Sequence, residues 1–293
     1  MFLLVSSCFV RDCFCNNFRG CVLGAFMVYF VGAGCGAADL ITVRGMRLLK
    51  KADLIIYAGS LVNPELLEYA DEKCQLLDSS RLTLDEVIGE IAKMDSDEKT
   101  IVRLHSGEPS LYGAVREQMD ALDARGIRYK SCPGVSACFG AASSLNMEFT
   151  LPDVSQSLII TRMAGKTAVP EAESIESFAA HHASMAVYLS AGMTDELSRR
   201  LVAGGYAPET PAAIVYKASW PEEKAFVCTV GTLPSVAAEN GITKTAVILV
   251  GDCVAHSGCG EKSFLAADLR GYSKSRLYAP DFETEFRAKK MET

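Results

Sequence analysis

The sequence lacks any excess of positive charge. Its 29 Lys and Arg stand against 36 Asp and Glu, with four His and a formal net charge of -7. No segment carries the basic stripe that a phosphate backbone demands, which excludes nucleic acid as a partner and leaves a small molecule as the expected one. No apolar run reaches the length of a membrane span, so no membrane partner is expected. Metal-ligand spacing is missing as well. Of the 11 cysteines, Cys13 and Cys15 stand too close together, and Cys253 with His256 and Cys259 has no fourth partner in sequence, so no metal is expected. Nor do the cysteines form a disulfide framework, which a chain of 293 residues does not need. Cys74, Cys132, Cys138 and Cys228 fall singly in apolar stretches and read as small buried hydrophobes of a reduced, cytoplasmic compartment.

Residues 1–26 hold four cysteines and an apolar patch from Phe2 to Val10, but no positive stretch of the kind that opens a signal peptide. They are expected to be an extension outside the fold, translated from a misplaced start, with Met27 the beginning.

From Val28 onward, short β-branched runs alternate with helix-period segments, the pattern of α/β domains with crossover helices. A first series has strands at Val28–Val31, Leu54–Tyr57, Thr100–Leu104 and Arg128–Ser131. Thr83 with Glu86 forms a capping box, and Leu111, Val115, Met119 and Leu122 mark the buried stripe of a helix. A second series has strands at Ser157–Thr161, Ala186–Leu189, Ala212–Tyr216, Ala225–Thr229 and Thr245–Val250. The Trp220-Pro221 turn before Lys224 implies antiparallel pairing there. The expected organisation is an N-terminal α/β domain at 27–148, a C-terminal α/β domain at 149–254 with a cleft between them, and a tail at 255–293 packed over one domain.

Three glycine-bearing loops follow strands of the first series: Gly32-Ala33-Gly34-Cys35-Gly36, His105-Ser106-Gly107-Glu108-Pro109-Ser110-Leu111-Tyr112-Gly113, and Pro133-Gly134-Val135-Ser136-Ala137. In a parallel sheet these share the carboxyl edge, where ligands bind. Gly32, Gly34 and Ala37 also match a dinucleotide-binding pattern, which keeps an oxidoreductase open as one alternative; that the three loops are merely tight strand-to-helix turns is another. Against the dinucleotide, no acidic residue ends the second strand, and Thr42 caps the following helix too late to meet a pyrophosphate.

Val31–Gly36, Asp39–Thr42, Tyr57–Asn63, Ser106–Gly113 and Pro133–Ser136, taken in order, resemble the tetrapyrrole methylase family over nearly everything from Met27 on. Tyr57–Asn63, Ser155-Gln156, Thr161-Arg162, Ala213–Pro221, Ser275–Tyr278, Phe282 and Phe286-Arg287 are most similar to its members that methylate precorrin-4, or the cobalt form, at C-11. The resemblance implies two α/β domains, a homodimer, S-adenosylmethionine in the cleft and a tetrapyrrole beside it. Sister activities at another ring carbon, on uroporphyrinogen III or on a diphthamide precursor remain alternatives, and so does a tetrapyrrole-binding protein without activity.

Carried over by motif, the cofactor-binding positions are Cys35, Ser106, Gly107, Glu108, Leu111, Ser136, Ala137, Leu189 and Ala218, acting mainly through backbone groups. Cys35 stands where the family has proline and Glu108 where it has aspartate. Glu108 is either an acceptor for the cofactor or a helix cap. Because the substrate bears many carboxylates, Arg103, Arg116, Arg162 and Lys217 are candidate partners, each equally a solvated charge, and Tyr112 either lines the trough or packs. Methyl transfer needs reactants aligned in a water-poor cleft and no activated side chain, so no catalytic residue is assigned.

Overall fold

The computed structural model describes residues 26–94, 99–259, 262–263 and 271–288. The extension through residue 25 therefore lies outside the described residues. Phe26 does not belong to it, because its ring is buried in the first core.

The first five strands are β1 (Met27–Gly32), β2 (Leu54–Tyr57), β3 (Gln75–Asp78), β4 (Thr100–His105) and β5 (Tyr129–Cys132). They form a wholly parallel sheet in the order β3-β2-β4-β1-β5. Its helices are α1 (Val43–Leu49), α2 (Leu84–Lys93) and α3 (Val115–Asp123). Alternation along the strands sends Val28, Phe30 and Ile101 into a core with α2 and α3, while Val31, Val102 and Leu104 pack with Leu49 of α1 on the other face. The capping box at Thr83 and Glu86 is present, and Thr42 caps α1 by accepting the Gly45 N–H. Strand β3 is absent from the sequence expectation: four exposed or half-exposed residues at a sheet edge leave no apolar alternation to detect. Leu111, expected on a helix, lies before α3 in a turn closed by its N–H on the Glu108 carbonyl.

The second sheet holds β6 (Leu158–Arg162), β7 (Ser184–Tyr188), β8 (Pro211–Tyr216), β9 (Lys224–Thr229) and β10 (Ala246–Val250), ordered β6-β7-β10-β8-β9. Only β6 and β7 run parallel; β8 and β9 pair antiparallel as the Trp220-Pro221 turn implied. One face is covered by α5 (Ile175–Ala179), α6 (Thr194–Ala203) and α7 (Leu233–Glu239).

The other face is covered from the first half of the chain. Helix α4 (Ala137–Ser144) follows β5, yet its Cys138, Ala141 and Ala142, with Leu145 just beyond, pack against Ala186, Ala213, Val215 and Leu249 of the second sheet. A helix that starts at the carboxyl edge of one sheet and is buried on the other ties the two together, and burying side chains of this size stabilises by roughly 1.5–3 kcal/mol for each large one. Of the tail, Tyr272 sets its ring against His256, while Tyr278 and Phe286 stand exposed, so the described tail leaves large apolar side chains uncovered.

Candidate functional site

The three glycine loops meet at the carboxyl edge of the first sheet. Gly34 and Gly107 exchange backbone hydrogen bonds, the Gly107 N–H donating at 2.9 Å and the Gly34 N–H at 3.3 Å. Gly134 packs onto both loops: a methyl there would lie 2.2 Å from the Gly107 oxygen and 2.7 Å from the Gly32 Cα, so only glycine permits the approach. The Glu108 carboxylate completes the junction. One oxygen accepts the Ser110 N–H at 3.0 Å and the other the Gly134 N–H at 2.8 Å. It therefore staples the second loop to the third, and α3, which begins at Val115, is not the helix it caps.

Loop one is fixed from both halves. Asn63, buried after β2, donates to the Gly36 carbonyl, and Ser219, between β8 and β9, accepts the Ala37 N–H at 3.0 Å. The Cys35 thiol lies 3.3 Å from the same Ser219 hydroxyl and rests against Gly140 of α4. Gly36 faces Trp220 and the Ala218 carbonyl. From the second sheet, the Tyr188 phenol accepts the Cys138 N–H and bonds Ser136, capping α4 where the Ser136 side chain does not. Partial burial holds that phenol well above the usual tyrosine range, which suits a structural hydroxyl and not a base.

Between these parts lies a cavity of about 480 Å³. Cys35, Ser106, Gly107, Glu108, Leu111, Ser136, Ala137, Leu189 and Ala218 all line it, with Tyr112 and Lys217 from the substrate candidates. Leu61, Tyr188, Trp220 and the Thr243–Val247 stretch line it too and were not singled out from sequence as site residues. Of these, Thr245 shares a conformational mark with three of the candidates already named. Tyr112, Leu189, Lys217 and Thr245 adopt positive φ angles of 58°, 53°, 48° and 55°. Left-handed backbone in bulky residues costs about 1–3 kcal/mol each and concentrates where ligands are held.

Three candidates, Arg103, Arg116 and Arg162, are absent from the lining of this cavity. Arg103 lies inside the first sheet's α2–α3 side, giving its Nε to Gln118 and its Nη1 to the Ile56 carbonyl, and burial lowers it to about 10. It points away because alternate residues of a strand face opposite sides, and Val102 and Leu104 take the other one. Arg116 sits on the exposed face of α3, paired with Asp120 and Asp123. Arg162 is spent on the carbonyls of Met163, Thr167 and Ala168. His105 is buried beneath the loops against Phe30, and burial together with Arg103 pushes its imidazole down to about 3. It is neutral at physiological pH.

The geometry disposes of the dinucleotide alternative. After the glycine loop, helix α1 does not begin until Val43, and its first turn is already capped by Thr42. The strand order β3-β2-β4-β1-β5 also differs from the dinucleotide-binding order.

Comparison with known proteins agrees. The family model described as Tetrapyrrole (Corrin/Porphyrin) Methylases matches residues 27–234. A cobalt-precorrin-4 C(11)-methyltransferase of Methanocaldococcus jannaschii is 42% identical over 260 residues, 89% of this chain and 95% of that one. The X-ray structure of a cobalt precorrin-4 methyltransferase is 37% identical with a TM-score of 0.75, covering 78% of this chain and 95% of its own. A uroporphyrin-III C-methyl transferase from Thermus thermophilus, solved with S-adenyl homocysteine, shares the fold at 22% identity and a TM-score of 0.66, over 78% of this chain and 98% of its own. With the three loops, the cleft and these likenesses in place, the chain belongs to the tetrapyrrole methylase family.

Proposed function

We propose that the protein transfers a methyl group from S-adenosylmethionine to C-11 of precorrin-4 or its cobalt form, in cobalamin synthesis. The observation that carries this is the convergence of the three glycine loops on one cleft, in a chain 42% identical to a C-11 enzyme.

The residues fit the cofactor. A cavity of about 480 Å³ falls in the range of small-molecule sites, mostly apolar with a few polar groups. Gly107 at φ +62° leaves open the space a side chain would enter, the nearest atom being 3.7 Å away. Ser106, Gly107, Ser136, Ala137, Leu189 and Ala218 would hold the molecule, chiefly through backbone groups. When bound, it supplies a methyl on a cationic sulfur, which a carbon of the substrate takes as the carbon–sulfur bond breaks and the electron pair stays on sulfur.

What this chain does is position and dry the reactants. Glu108 and Tyr188 lock the loops that form the floor, so the cleft is organised before the ligands arrive. Leu111, Leu189, Ala191 and Val247 give it apolar walls, and the exposed Leu61 and Tyr112 offer a surface for a ring. Lys217, on the cleft wall, is a cation within reach of the substrate's carboxylates, shared with Glu222. Family likeness also supports a homodimer and a cytoplasmic location; no helix of the described residues is long and apolar enough to cross a membrane.

The test is turnover. Purified protein is incubated with radiolabelled S-adenosylmethionine and either precorrin-4, cobalt-precorrin-4 or uroporphyrinogen III. Label entering C-11 of one of the first two supports the proposal; label entering uroporphyrinogen III alone replaces it with the sister activity.

A further inference from the structure

One edge of the cleft carries charge that the bound cofactor does not call for. The charged side chains on its lining are Glu108, Lys217 and Lys244. Both Glu108 oxygens are taken up by backbone N–H groups, and Lys217 lies 3.5 Å from Glu222 and over the Trp220 ring. Among the described residues Lys244 forms no ion pair, nor does Lys224, in a chain of net charge -7.

Both border a second cavity of about 190 Å³ that shares Thr243 and Lys244 with the wall of the main cleft. Its frame is built. Lys224 is placed by the antiparallel register that sets it opposite Tyr216. Lys244 sits on a loop that turns at Gly241 with φ +64° and at Thr245 with φ +55°, and the Thr245 carbonyl is held by the Lys217 N–H at 2.9 Å. The loop that strains Lys217 into the cleft thus also sets Lys244 beside it.

We infer that this side cavity seats a carboxylate-ended side arm of the substrate, with Lys224 and Lys244 on either side of the acid and the ring in the main cleft. The inference rests on the function proposed above, since it needs an acid-bearing substrate. The side cavity is too small for a ring and opens beside a cleft large enough for one, and two uncommitted ammonium groups at its rim recognise an anion.

The experiment compares wild type with a Lys224→Ala/Lys244→Ala double variant; both side chains are exposed, so the fold is not at stake. Exposed ion pairs are individually weak, so the KM for precorrin-4 is expected to rise about tenfold with kcat within about twofold. Affinity for S-adenosylhomocysteine stays unchanged. Raising ionic strength from about 0.05 to 0.3 M raises KM steeply in wild type and shallowly in the variant. Lys224→Arg/Lys244→Arg restores the wild-type KM. A double variant with wild-type KM and salt dependence overturns the inference while leaving the proposed function standing. If wild type methylates neither form of precorrin-4, the proposed function falls, and the cavity is judged by fluorescence titration with uroporphyrin. Binding weakened about tenfold in the double variant keeps the cavity as an acid site; equal binding rejects it.

Discussion

The phenolic oxygen of Tyr188, at the end of the second sheet's β7, lies 2.7 Å from the Ser136 hydroxyl at the start of α4. The same oxygen accepts the Cys138 N–H, also at 2.7 Å. One side chain from the C-terminal half thereby caps the helix that closes the cofactor loops of the N-terminal half. Tyr188→Phe keeps the ring and removes both bonds, leaving a helix N–H without its partner. A loss of about 1–3 kcal/mol is expected by urea denaturation, with S-adenosylhomocysteine binding weakened several-fold by calorimetry. Unchanged stability and affinity would mean that water replaces the phenol at no cost.

Glu108 gives a graded series. Its two oxygens accept from two different loops, so Glu108→Gln retains one acceptor and Glu108→Ala none. Affinity for S-adenosylhomocysteine is expected to fall about tenfold in Glu108→Ala, for a loss of one to two charge-assisted hydrogen bonds, and less in Glu108→Gln. An alanine variant that binds as tightly as wild type would show that the staple is dispensable.

Two glycines of the junction should respond differently. In Gly134→Ala the new methyl would stand 2.2 Å from the Gly107 carbonyl oxygen, a backbone atom that cannot turn aside, so the protein is expected to lose several kcal/mol or fail to fold. In Gly107→Ala the nearest atom is 3.7 Å away and the cost is that of φ +62°, about 1–2 kcal/mol. Thermal denaturation separates the two, and equal destabilisation would contradict the packing described here.

His105 predicts a pH dependence. Burial depresses its folded-state pKa to about 3 from an ordinary 6.5, so the unfolded chain binds the proton more readily than the folded one. Stability is thus full above pH 6.5 and is lost as pH falls toward 3. From pH 7.5 to pH 5 this single group removes about 2 kcal/mol, read from urea midpoints. In His105→Leu that decrement should vanish from the pH profile, and an identical profile would show that other groups govern acid unfolding.

The sequence by itself determined the α/β class, nine of the ten strands in the two five-stranded sheets and the three glycine loops of the cleft. Each of these is local: β-branched runs, a capping box and glycines after strands express short-range preferences that no distant contact needs to supply. Cys35, Ser136 and Leu189 were legible in another way, through motifs that resemble those of the tetrapyrrole methylase family. Strand β3 escaped because an exposed edge strand has no apolar face to display.

Tertiary structure alone decided what the charged and aromatic side chains do. Arg103 and Lys217 look alike in sequence, one following an apolar strand and one within it, yet strand alternation buries Arg103 among α2 and α3 while a left-handed turn aims Lys217 at the cleft. Tyr188, Trp220 and Lys244 meet the cofactor loops only because α4 leaves the first sheet to pack on the second. That crossing joins residues more than fifty positions apart in the chain, which no periodicity within either segment encodes.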